Sequence, residues 1–153
     1  MTDRKGAGLV LRPFRPADLG RLEPPPLSRG QLEHFLHLPP PPGLALTAEA
    51  AGRALGCAGV IAAPDSRAGR AWAILGSELR ARPMVLHRRV ARLLPGIARE
   101  LGLEAIEASA RADHAAGRRW LEALGFSCRG SDPGPTADPH LLYERRFEAP
   151  PLL

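Results

Sequence analysis

The stretch Asp113-His-Ala-Ala-Gly-Arg-Arg-Trp-Leu-Glu-Ala-Leu-Gly-Phe126 decides how this chain folds. Asp113 has a short carboxylate suited to capping a helix start, so a helix is expected directly after it. Trp120, Leu121 and Leu124 lie together on one face of that helix. Gly125 stands where helices end on a left-handed residue, and Phe126 then opens a strand, Phe126 to Arg129. A short helix delivered abruptly into a strand is a packing unit of a mixed α and β domain.

Working backwards, residues 104–111 (Glu-Ala-Ile-Glu-Ala-Ser-Ala-Arg) alternate as a strand with one polar face. Residues 83–101 read as a long helix: Leu86, Val90, Leu93, Leu94, Ile97 and Leu101 form one apolar stripe, with Gly102 beyond its end. Arg88, Arg89, Arg92 and Arg99 lie off the stripe, and Pro95 is expected to kink or split the helix because its ring removes a hydrogen bond. Leu44 to Ala50 and Ala54 to Ala63, joined around Gly52, read as a hairpin. A second turn is expected at Pro64-Asp65-Ser66 and Gly69, and a third strand at Ala71 to Leu75.

At the N-terminal side, Leu9 to Arg12 is a short strand stopped by Pro13, and Asp18 to Glu23 a short helix. Ser28 and Gln31 make a capping box for a helix that ends at Pro39, between proline runs at 24–26 and 39–42. His140 to Phe147 is the last strand, reached through a turn-rich loop over 130–139. The expected fold class is α+β, a single domain over 9–147 with a mixed central sheet of six to seven strands and about four helices. Residues 1–8 are expected to be a flexible N-terminus and 148–153 a frayed tail.

Composition narrows the function. The chain has 153 residues and a formal charge of +5, and 20 of its 21 basic residues are Arg, Lys5 being the exception. Arg, Ala and Pro excess is what a GC-rich genome writes by default, so the basicity is partly compositional. No apolar run approaches the length of a membrane span, and no apolar segment follows the N-terminus as in a signal peptide, so a cytoplasmic protein with no membrane partner is expected. Cys57 and Cys128 stand far apart without a CxxC, and His34 and His37 lack further ligands, so no metal is expected. Nine arginines lie between residues 80 and 119, yet only 5% of residues are aromatic and no nucleic-acid motif accompanies them. A solvated helix face is the expectation there, with nucleic acid outside the expected partners.

With these elements in order, the chain resembles the GNAT (GCN5-related N-acetyltransferase) family. The segment ending Leu124-Gly125-Phe126, the strand Leu55-Gly-Cys-Ala-Gly-Val60 and the opening Leu9-Val-Leu-Arg-Pro-Phe-Arg-Pro-Ala-Asp18 carry the likeness. The strand Ala71-Trp-Ala-Ile-Leu75 and the glycine-poor, Arg-rich helix further resemble a divergent GNAT-like group of phage and prophage genomes. The resemblance implies an acyl-CoA-dependent N-acetyltransferase using acetyl-CoA on a small-molecule or protein amine. The alternative it implies is a non-catalytic accessory or virion-assembly protein with a virion or other protein partner.

The resemblance also implies where acetyl-CoA would sit. Leu75, Gly76 and Ser77 would supply backbone donors at the end of a strand. The pyrophosphate loop falls on Arg82, Pro83, Met84, Val85, Leu86 and His87, flanked by Arg80 and Arg88. The family's loop glycines are absent: Val85 and His87 stand in their place, and no glycine lies between Gly76 and Gly96. The Tyr that often serves as general acid is replaced by Leu121, and the only Tyr is Tyr143. Glu49, Glu107 and His114 are the candidate catalytic residues, as general base directly or through water.

Overall fold

The computed structural model describes residues 8–23, 43–62, 67–132 and 139–147. The elements run β1 (Val10–Pro13), a 3-10 turn (Pro16–Arg21), β2 (Gly43–Ala50), β3 (Arg53–Ala62), β4 (Ala68–Leu75), α1 (Ser77–Arg80), α2 (Pro83–Leu101), β5 (Ala105–Arg111), α3 (Ala115–Ala123), β6 (Ser127–Asp132) and β7 (His140–Arg146). The strands form one seven-stranded sheet in the order β1-β2-β3-β4-β5-β7-β6. It is mixed: β1–β2, β5–β7 and β6–β7 pair antiparallel and β4–β5 parallel. The expected flexible N-terminus up to Ala7, the helix after Ser28 with its flanking prolines, the turn at Pro64 to Ser66 and the tail lie outside the described residues. Among the described residues no helix is long and apolar enough to cross a membrane.

The two longer helices stop by the same device. Gly102 and Gly125 have φ of 69° and 94°, a conformation that costs glycine no steric clash. In each case the residue after the glycine donates back to a carbonyl five residues earlier, Leu103 to Ala98 at 2.8 Å and Phe126 to Leu121 at 3.0 Å. The glycines themselves donate to Arg99 and Glu122, so the last-turn carbonyls are satisfied and the chain turns sharply into the next element. Arg145 adds a cation at the end of α3, donating to the Leu124 carbonyl at 2.9 Å with its guanidinium 4.7 Å from the Phe147 ring centre.

The chain divides into two compact units. One takes the residues up to Gly59 together with Ala73–Leu86, the other Val60–Trp72 together with His87 onward. In the first, Leu19, Leu22, Leu55, Cys57, Leu79 and Leu86 are buried. In the second, the apolar face of β5 (Ile106, Ala108, Ala110) clusters with Leu94 and Ala98 of α2, Leu124, Phe126 and Tyr143. Ile106 and Tyr143 are wholly buried, and each large apolar side chain so enclosed contributes about 1.5–3 kcal/mol.

Several local expectations are corrected. Pro13 closes β1 rather than stopping it, because β1 is an edge strand where a missing N–H breaks no ladder. Gly69 lies inside β4, not in a turn; a Cβ there would stand 2.6 Å from Leu103 and 2.7 Å from Val60. Helix α2 is not split at Pro95, which is exposed, so water can take the carbonyl its ring leaves unbonded. The N-cap of α3 is His114 rather than Asp113, whose carboxylate instead takes two 3.2 Å hydrogen bonds from Arg111. The loop expected from residue 130 begins later, since β6 continues to Asp132.

Candidate active site

The end of β4 is set by its glycine. Gly76 is buried and its N–H donates to the Leu55 carbonyl at 2.8 Å; a Cβ would stand 2.9 Å from that same oxygen. Ser77 follows, its N–H donating to the Glu23 carbonyl at 3.0 Å and its hydroxyl to the same oxygen at 3.4 Å. Of the backbone donors expected at Leu75 to Ser77, those of Gly76 and Ser77 are already satisfied within the chain. The parallel pairing of β4 with β5 ends at Arg70 and Glu107, while β4 continues to Leu75.

The short helix α1, which the sequence reading did not foresee, then turns the chain into α2. Arg80 folds back, its Nε donating to the Leu75 carbonyl at 3.2 Å. The Arg82 N–H donates to Leu79 at 3.0 Å and its carbonyl accepts from Val85 at 3.3 Å, so Arg82 and Pro83 open α2. Arg82 is exposed, and with Leu55, Glu78, Leu79 and Val85 it lines a cavity of about 180 Å³. A second cavity of about 390 Å³ is lined by Arg21, Arg53, Gly76, Ser77 and Glu78, and Arg53 there pairs with Glu78 at 2.8 Å. Met84 is exposed. Leu86, expected beside the cofactor, is instead buried with the core. Farther along α2, His87 is half-buried with its Nδ1 enclosed and unbonded among the described residues, and Arg88 is exposed.

Glu49 lies in the first unit, in a charge cluster the sequence reading missed. Its carboxylate takes Arg12 Nη2 at 2.9 Å and Arg21 Nη1 at 3.4 Å, and the Arg12 hydrogen bond holds it below the usual carboxylate range. Buried Asp18 centres the cluster, gripped by Arg12 at 2.7 and 2.9 Å, the Arg15 N–H at 2.8 Å and the Thr47 hydroxyl at 2.8 Å. Burial alone would push Asp18 up, but these hydrogen bonds outweigh it and keep it well below the ordinary range. Glu49 is thus a weakened proton acceptor.

Glu107 and His114 lie in the second unit. Glu107 sits on the polar face of β5, opposite Glu144 and 4.0 Å from Arg70. On the same face Ser109 donates to Asp132, which also takes Arg70 Nη2 at 2.6 Å; the Ser109 bond leads in holding Asp132 below its usual range. Asp132 fell in an expected loop, and nothing local in the sequence marks it. His114 is exposed, and its ring covers the first turn of α3 so closely that a Cβ on Gly117 would be 2.5 Å from Nδ1. Tyr143 is wholly enclosed, its hydroxyl accepting from Arg118 Nε at 3.1 Å. Among the described residues no group of His, Cys, Asp and Glu is arranged to hold a metal ion; the His34 and His37 pair lies outside them.

No protein-family profile matches the chain, and no curated protein matches it in sequence. Solved structures do. A mutant of the spermidine N-acetyltransferase SpeG from Vibrio cholerae superposes with a TM-score of 0.71 at 17% identity, over 92% of this chain and 94% of that one. The ribosomal-protein-S18-alanine N-acetyltransferase of Escherichia coli gives 0.69 at 14% identity, over 94% and 96%. A GNAT-family acetyltransferase from Streptococcus pneumoniae gives 0.66 at 18%, over 92% and 99%. At such identities the likeness is one of fold, and the fold of this chain is that of the GNAT acetyltransferases.

Proposed function

We propose that the chain is an acyl-CoA-dependent N-acetyltransferase in which arginine side chains, rather than a glycine-lined backbone loop, hold the phosphates of acetyl-CoA. The observation that carries the reading is the junction from β4 through α1 into α2 on this fold. The Gly76 and Ser77 N–H groups are already bonded, and exposed Arg82 opens the long helix. A guanidinium can grip a phosphate with two parallel hydrogen bonds, so it substitutes for backbone donors at greater reach.

The chemistry follows from the thioester. The neutral amine nitrogen attacks the acetyl carbonyl carbon, a C–N bond forms, and the oxyanion collapses with cleavage of the C–S bond. The amine proton passes to a base and the departing thiolate takes up a proton. Glu107 and His114 are the acceptors proposed for this proton, since Glu49 is tied to two arginines. One neighbour is named for spermidine, a small-molecule amine, and another for an alanine of a ribosomal protein; the acceptor proposed here belongs to one of those two classes.

Calorimetric titration of acetyl-CoA into wild type and Arg82→Ala tests the arrangement. Loss of a charged hydrogen-bonded pair of about 1.5–3 kcal/mol predicts at least a tenfold weaker Kd. An unchanged affinity would move the phosphates away from Arg82. The non-catalytic accessory or virion-assembly reading is the one that stands if acetyl-CoA does not bind at all.

A further inference from the structure

Helix α2 carries its charge in an unusual way. Between Glu78 and Glu100 there are six arginines and no acidic residue. At 100° per residue, Arg88, Arg92 and Arg99 fall within about 40° of one another. That ridge is opposite the middle of the apolar stripe, Val90 and Ile97, and about 120° round from buried Leu94 and Ala98. All three are exposed, and none forms an ion pair among the described residues. Several strand arginines behave otherwise: Arg12 pairs with Asp18, Arg53 with Glu78, and Arg70 with Asp132. These strand arginines are neutralised, whereas three on one line of the helix are left open.

This arrangement works against the helix that bears it. Like charges at i and i+4, as at Arg88 and Arg92, repel. Only Arg99, in the last turn, sits where the helix dipole welcomes a cation. Glu100 is the next residue round the helix and does not face the ridge. An external anion would relieve the repulsion.

We propose that the Arg88–Arg92–Arg99 ridge docks the phosphate backbone of duplex nucleic acid, independently of base sequence. The ridge spans about 16 Å, enough to meet successive phosphates. Exposed Met84 lies one turn before Arg88, but between Arg88 and Arg99 the other exposed residues are Pro95 and Gly96, so the ridge itself offers no large apolar anchor of the kind a protein interface centres on. It has no aromatic ring on which an unpaired base would stack, which favours duplex over single strand. The inference is separate from the acetyltransferase reading and stands on Arg92 and Arg99 even if Arg88 serves acetyl-CoA.

Fluorescence anisotropy of a labelled 20-base-pair duplex, titrated from about 20 to 200 mM salt, tests it. Three neutralised phosphates give a log–log salt slope of about −2.7, and Arg92→Ser with Arg99→Ser lowers its magnitude by about two. Arg92→Lys with Arg99→Lys keeps the slope and binds more weakly, because the charge remains and the bidentate grip is lost. Circular dichroism verifies that α2 is intact in each variant. Absence of binding at the lowest salt, a slope unmoved by the serine variant, or equal affinity for poly-glutamate would each overturn the proposal.

Discussion

Arg12 and Asp18 meet side by side, Nη1 to Oδ2 at 2.9 Å and Nη2 to Oδ1 at 2.7 Å, and this pair ties the 3-10 turn to strand β1. The Thr47 hydroxyl brings β2 into the same carboxylate. Asp18→Ala leaves Arg12 partly enclosed with Glu49 as its one remaining carboxylate and is expected to cost about 3 kcal/mol. Asp18→Asn keeps an acceptor for Thr47 and the Arg15 N–H, so it should cost less. Urea unfolding of the two variants gives the order; equal stability to wild type would mean the pair does not hold the turn.

Two carboxylates of this cluster, with Asp132 beside Arg70, set the acid limit of the fold. Asp18, Glu49 and Asp132 all sit below their ordinary values, so the unfolded chain binds more protons than the folded one at low pH. Their contribution is present in full above about pH 5, clear of the unfolded-state values, and is lost as the pH falls through the folded-state values. The urea midpoint is expected to drop from pH 5 to pH 3, and to drop less in Asp18→Ala. A midpoint rising over that interval would reverse the sign of the argument.

Gly59 is required by the closeness of two strands. A Cβ at this position would stand 2.6 Å from the Leu44 carbonyl oxygen and 2.8 Å from the Ala45 Cβ, and backbone cannot swing aside. Gly59→Ala is expected to destabilise by about 1–3 kcal/mol, seen as a lower melting temperature.

Gly117→Ala predicts the opposite. The clash there is with the imidazole of exposed His114, the end of a side chain that can rotate away. Alanine gains up to about 1 kcal/mol inside a helix, so the melting temperature should hold or rise while the His114 ring resonances shift. A loss of stability would show the ring to be held in place.

These cases also mark what the sequence could tell. Helix ends were legible, because Gly102 and Gly125 act through bonds only a few residues long. The apolar stripe of α2 was legible for the same reason, and the sheet strands followed from turn spacing. The Asp18 cluster was not, since Thr47 and Glu49 reach it from about thirty residues away. Gly69 read as a turn because glycine marks both turns and close packing, and only the nearby Leu103 and Val60 side chains tell them apart. At the proposed site, the absence of glycine between Gly76 and Gly96 was plain in the sequence. That the Gly76 and Ser77 donors are occupied depends on Leu55 and Glu23, which no local pattern links to them.

Thermal unfolding with and without acetyl-CoA tests the central claim most directly. A site of about 10 μM affinity, filled at 1 mM ligand, stabilises the fold by roughly 2.7 kcal/mol. For a chain of this size that raises Tm by about 5–10 °C. A rise of that order, diminished in Arg82→Ala, is the predicted result; an unchanged Tm at millimolar acetyl-CoA would contradict the acetyltransferase reading.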